Sequence, residues 1–193
     1  MEATDLIAPP EAPADPLNMR VAVIVAVLAT FMGVCKVKDD NICQGMQQAQ
    51  ANRVDHWSFY QARNVREEIA KSTVVQLKLS LLGRSVAERA EYEAAIASYQ
   101  KLAEDQARKK DELKRLAEKD QADYDNANFR DDQFDLSDAL LAIAIALLAI
   151  TTLTRQRWLF WGALIPTAFG VFMGLSGLFG WPFHPSALVA LLS

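Results

Sequence analysis

Between Lys36 and Asp135 the chain has no proline, and its glycines there are two, Gly45 and Gly83. So few breakers leave room for a single turn, which Gly83 near the midpoint supplies. Basic excess is missing as well: 17 Lys and Arg stand against 19 Asp and Glu over 36–135, and the whole chain carries −4. Nucleic-acid binding needs a Lys/Arg surplus to displace counterions from phosphates, so nucleic acid is excluded as a partner. Cysteine is limited to Cys35 and Cys43. Eight positions along one helix set them about 12 Å apart, beyond the roughly 7 Å that a disulfide tolerates. They read as structural thiols, with a bridge between subunits as the alternative.

Reactive groups are sparse. His56 and His184 lie 128 positions apart, and there is no HExxH, CxxC, GxSxG, Walker or GxGxxG pattern, so no enzyme, cofactor or metal site is expected. Adjacent acids such as Glu67 with Glu68, or Asp131 with Asp132, diverge on a helix and read as solvated charge. The apolar runs are nearly free of charge, which removes the buried relay that ion or proton transport normally uses. Asp138 is placed at the first turn of its helix, where a carboxylate favours the dipole, and His184, close to two prolines, reads as a boundary residue.

What is present is 51% hydrophobic and 23% charged, and the two are segregated. Three apolar runs have span length: 17–35, 136–154 and 158–180, the last ~35 Å of helix. The first is interrupted by Arg20, whose stem can reach back to the interface. Arg155, Gln156 and Arg157 leave only a tight turn between the second and third, and Trp158, Trp161 and Trp181 sit where an aromatic belt would. Residues 1–16 form an acidic, proline-rich tail that cannot bury a core. Residues 181–193 read as an interfacial segment, with Ser186 to Leu192 too short to cross. The expected fold is an all-α membrane protein with three transmembrane helices and a long antiparallel helical hairpin, a coiled-coil-like stalk, between the first and second. Arg20, Arg155 and Arg157 put one side in the cytoplasm with the N-terminus, and the stalk is then periplasmic.

Within the stalk, 36–135, the turn is expected at 82–85, since Gly83 suits a left-handed helix end and Ser85 with Glu88 reads as a capping box. The return arm offers a thin stripe of Tyr92, Ile96, Tyr99, Ala103, Leu113, Ala117 and Tyr124, interrupted by Gln106, Lys110 and Asp120. The outbound arm is greasier. Counting from the turn sets Trp57 opposite the charged stretch near Lys109, where nothing can cover Trp57, Phe59 and Tyr60 together. Burying an aromatic ring is worth roughly 2–3 kcal/mol, so another copy of the chain is expected to cover them.

Small-residue faces suggest close helix approach: Ala139, Ala142, Ala146 and Ala149 on one run, Gly162, Pro166, Gly170 and Gly174 on another. Gly170 and Gly174 are therefore candidates for the oligomer interface, or for packing the second and third runs of one chain. Leu79, Leu81 and Leu82 form an apolar tip suited to docking another membrane protein. The expected function is a non-enzymatic, homo-oligomeric scaffold in a lipid bilayer. The alternatives are an accessory subunit docking through the tip, or an oligomeric channel with Thr151 and Thr152 at a constriction.

At Gln47-Gln48-Ala49-Gln50-Ala51 and Trp57-Ser58-Phe59-Tyr60-Gln61-Ala62-Arg63-Asn64-Val65-Arg66, shortly after the first run, the chain resembles a family of bacterial membrane proteins known only as a domain of unknown function. The likeness covers most of residues 20–180, including the basic turn Arg155-Gln156-Arg157. It implies a three-span protein with a helical stalk in a bacterial inner membrane, and it implies no activity.

Overall fold

The computed structural model describes residues 16–183 and Pro185, and over these the chain is three helices. They are α1 (Pro16–Ser80), α2 (Val86–Thr154) and α3 (Arg157–Phe179), each long and apolar enough to cross a membrane. Neither Lys36 nor Leu136 begins a new element: α1 runs through the end of the first apolar run, and α2 through the start of the second. No proline or glycine stands at either place to interrupt the hydrogen-bond ladder. Asp138 consequently lies deep inside α2 and not at a first turn, which corrects its expected capping role. The expectations for residues 1–15, His184 and 186–193 fall outside the described residues.

The chain divides into two compact units, one made of residues up to Asn41 with those from Phe129 onward, the other of Ile42–Asn128. In the first, Val21 and Leu28 of α1 pack with Leu141, Ala144 and Leu148 of α2 and Ala163 of α3. The α2 side of this core is large where α3 is small: a methyl added to Gly170 would meet Leu141 Cγ at 2.8 Å, and one added to Gly177 would meet the Phe134 ring at 2.8 Å. Polar groups fasten the far end of α3. Ser137 donates to the Gly170 carbonyl at 2.8 Å, Arg130 to the Gly177 carbonyl at 2.8 Å, and Gln133 to the carbonyls of Trp181 and Phe183 at 2.9 and 2.6 Å. Gly180 closes the helix with φ 68°, its N–H returning to Ser176, a conformation that L residues with a Cβ resist.

In the second unit α1 and α2 are joined by polar pairs. Arg53 donates to Gln121, His56 lies 2.6 Å from Asp120, Arg63 donates to Gln106 at 3.0 Å, and Lys110 meets Glu67 at 2.6 Å and Asn64 at 3.2 Å. Arg53 and His56 of α1 meet Gln121 and Asp120 of α2, whereas Arg63, Asn64 and Glu67 further along α1 meet Gln106 and Lys110, earlier on α2. Gln106, Lys110 and Asp120, which interrupt the apolar stripe of α2, are the residues that make these bonds. This register sets Trp57, next to His56, level with the turn containing Ala117 and Asp120, and corrects the count that put it beside Lys109. Ala117 there is fully buried.

The connection lies where expected. Gly83 has φ 87°, and Glu88 accepts from the Ser85 backbone N–H at 3.1 Å and from its hydroxyl at 2.7 Å. The Ser85 hydroxyl is thus spent on Glu88, so only the glutamate half of a capping box is made. Gly83→Ala should destabilise this end by about 1 kcal/mol, the ordinary cost of a Cβ at positive φ. Faster amide exchange over residues 77–90 in the variant, with exchange over 20–30 unchanged, is the readout.

Candidate functional site

Helix α1 of the second unit has a bonded face and an open one. Glu67, Ala70 and Val74 are buried, in line with His56 and Arg63, the residues that reach α2. Half a turn away, at helical spacing, Val54, Val65, Ile69, Val75 and Leu79 are between 56% and 63% exposed. A shallow groove runs along this outer side, lined by Val65, Ile69, Ser72 and Thr73 among others. The flanks are aromatic. Trp57 packs edge-on against Tyr60 with ring centroids 5.2 Å apart, yet stays 37% exposed, and Phe59 on the opposite flank is 59% exposed.

Other sequence-predicted residues fall elsewhere. Gly170 and Gly174 are buried inside the first unit, where Gly174 faces the Phe31 ring of α1 and Ser137 of α2. The close approach they permit is therefore used within the chain. Ala142, Ala146 and Ala149 turn outward, because Leu141, Ala144 and Leu148 of the same helix fill the core. At the tip Leu79 and Leu82 are exposed while Leu81 is half-buried. The hydroxyls of Thr151, Thr152 and Thr154 donate to Leu147, Ala149 and Ile150 of their own helix, which leaves the idea of a hydroxyl-lined constriction without support from these residues. Cys35 and Cys43 form no disulfide.

One constellation escaped the sequence reading. In the first unit, Cys35, Lys36 and Asp39 of α1 share a small cavity with Phe134, Asp135 and Asp138 of α2. The signal was available as spacing: Cys35 and Asp39 stand at i, i+4, and Asp135 and Asp138 at i, i+3, each pair set on one helical face. Reading Asp138 as a helix cap hid it.

The family model described as Domain of unknown function (DUF4337) matches residues 17–180. The chain belongs to that family. The DUF4337 match opens one residue into α1 and closes on Gly180, the cap of α3, so it takes in all three helices and both units. No curated protein and no solved structure matches the chain.

Proposed function

We propose that this DUF4337 protein is a non-enzymatic, homo-oligomeric structural protein of a bacterial inner membrane. In this reading α3, the N-terminal part of α1 and the C-terminal part of α2 cross the bilayer. Residues 42–128 form a helical hairpin on its periplasmic side, and the N-terminus is cytoplasmic. Three helices of sufficient length and apolarity support the membrane part. Unpaired apolar surface on α1 carries the assembly part: Val54, Val65, Ile69 and Leu79 lie on its back, Trp57 on one flank and Phe59 on the other. A second helix can cover one side of α1, and α2 already does. Surface left on two flanks suits a ring or bundle in which each hairpin has two neighbours, since a single two-fold contact would cover one.

Hydrophobic burial supplies about 25 cal/mol per Å², so several such residues per copy hold an assembly without any interfacial ion pair. A second reading, docking of another membrane protein on the tip, draws on the exposure of Leu79 and Leu82. The two separate by experiment. Mass measurement of the full chain in mild detergent should give a defined oligomer that Trp57→Ala with Phe59→Ala reduces toward monomer, at unchanged helical content. A wild-type monomer at every concentration, indistinguishable from that double variant, would remove the scaffold reading.

A further inference from the structure

Where α1 and α3 begin, the first unit collects positive charge that no described residue answers. Pro16, Leu17 and Arg20 of α1 and Arg157, Phe160 and Trp161 of α3 line one cavity of about 360 Å³, a volume within the range of small-molecule sites. Two guanidiniums, one from each helix, thus share its wall. Among the described residues neither Arg20 nor Arg157 has an ion pair or a hydrogen bond, and no acidic residue lines the cavity. The first turns of α1 and α3 contain no acid either, so the positive end of each helix dipole, roughly half an elementary charge, adds to the two arginines. The remaining wall is apolar and aromatic. Phe160 packs edge-on against Trp161 with ring centroids 5.8 Å apart, yet Trp161 stays 68% exposed. An indole turned outward at the end of an apolar helix suits the boundary between lipid and water.

A ligand that fits such a wall is anionic at one end and hydrocarbon at the other. We propose, on the reading that these ends of α1 and α3 enter a bilayer, that the cavity binds the headgroup of an anionic phospholipid. Arg20 and Arg157 hold its phosphate oxygens, and Phe160 and Trp161 lie beside the upper part of an acyl chain. Guanidinium presents a planar fork of donors that matches phosphate, where an ammonium would offer only a point charge. Net charge selects within the class: phosphatidylglycerol brings the negative charge that the cavity lacks, whereas phosphatidylcholine carries its own cation. Free phosphate shares the charged half of the ligand and makes no use of the rings. Basic pockets between spans on the cytoplasmic side suit such headgroups, and the same arginines set the expected orientation that puts this end there. Bound in the cavity, the lipid bridges α1 to α3.

The test uses the full chain in neutral detergent, titrated separately with phosphatidylglycerol, phosphatidylcholine and inorganic phosphate. Native mass spectrometry counts bound lipid, and thermal unfolding reads the linked stability. Phosphatidylglycerol should bind saturably and raise the melting temperature, with phosphatidylcholine roughly tenfold weaker or worse and inorganic phosphate without effect at equal concentration. Arg20→Gln with Arg157→Gln should weaken phosphatidylglycerol binding by roughly tenfold or more, and Arg20→Lys with Arg157→Lys should restore part of it. Arg155→Gln removes a charge outside the cavity wall and should change binding by less than about threefold, as a screened charge does. Equal binding of the two lipids, an equal loss in Arg155→Gln, or phosphate matching the lipid would each overturn the assignment. So would lipid binding that appears only after Glu11→Gln with Asp15→Asn, since the chain's own acidic tail would then be the occupant. Washing native membranes with alkaline carbonate separates this site from the wider reading. A chain released by the wash overturns both, while a retained chain with no preference for phosphatidylglycerol overturns the lipid site alone.

Discussion

Lys110→Met is expected to destabilise the pairing of α1 with α2 in residues 42–128 by about 3 kcal/mol, the cost of stranding a buried acid. Glu67 is 4% exposed, and its carboxylate is bracketed by Lys110 at 2.6 Å from α2 and Lys71 at 2.6 Å from its own helix. Methionine keeps the aliphatic stem of Lys110 and removes only the ammonium, so the effect reports charge and not packing. Lys71 is more than half exposed and stays in place, which keeps the loss toward the low end for a broken buried pair. Replacing both partners, Glu67→Met with Lys110→Met, should recover most of the stability, because two apolar chains of similar volume need no counter-charge. Amide exchange over residues 62–75 and 103–115 measures the local opening energy directly. Equal protection in Lys110→Met and wild type would show that the pair contributes nothing.

The same group sets a pH dependence. Glu67 is held below its ordinary value of 4.5, first by the hydrogen bond from Lys110 and then by that from Lys71. A depressed acid contributes stability above its unfolded value, and that contribution disappears as pH falls through the folded value. Protection over 62–75 should therefore be flat from neutral pH down to about 4.5 and decline below it. In the Glu67→Met, Lys110→Met double variant that acid decline should be absent from this segment.

These pairings explain which parts of the architecture could be read from residue order. The three apolar runs, the turn at Gly83 and the pairing of Ser85 with Glu88 are local signals, each complete within a few residues, and the structure has all of them. Register between α1 and α2 is different in kind. Gln106, Lys110 and Asp120 look like gaps in a hydrophobic stripe as long as only α2 is considered. Their meaning lies in Arg63, Glu67 and His56, more than forty positions away. Counting back from the turn assumed that both arms leave it at equal height, and the bonded pairs show an offset of about two helical turns at Trp57. Of the candidate surface, the exposure of Trp57, Phe59 and Leu79 was legible from the excess of apolar residues on one arm. The burial of Asp39 was not, and Phe134 and Asp135, which share its small cavity, stand on the other helix.

The small-residue run on α3 yields the second large effect. Gly174→Leu should lower the melting temperature of the full chain by roughly 3–10 °C, the expected result of about 1–3 kcal/mol of overpacking in a chain of this size. A Cβ at Gly174 would stand 2.7 Å from the Phe31 ring and 2.8 Å from Ser137 Oγ. Phe31 is wedged between helices and Ser137 is engaged with the Gly170 carbonyl, so neither retreats without disturbing a second contact. Gly162 belongs to the same face by spacing, yet nothing lies within 4 Å of its missing side chain. Gly162→Ala should therefore be neutral or stabilising by about 0.5–1 kcal/mol, the usual gain of alanine over glycine inside a helix. The pair of variants discriminates between uses of the glycines. If Gly174 packs helices of one chain, its substitution lowers thermal stability by an amount independent of protein concentration, and the oligomer mass is retained in the fraction that remains folded. If it packs one copy against another, the mass shifts first and the melting temperature follows concentration. The contacts with Phe31 and Ser137 of the same chain favour the first outcome.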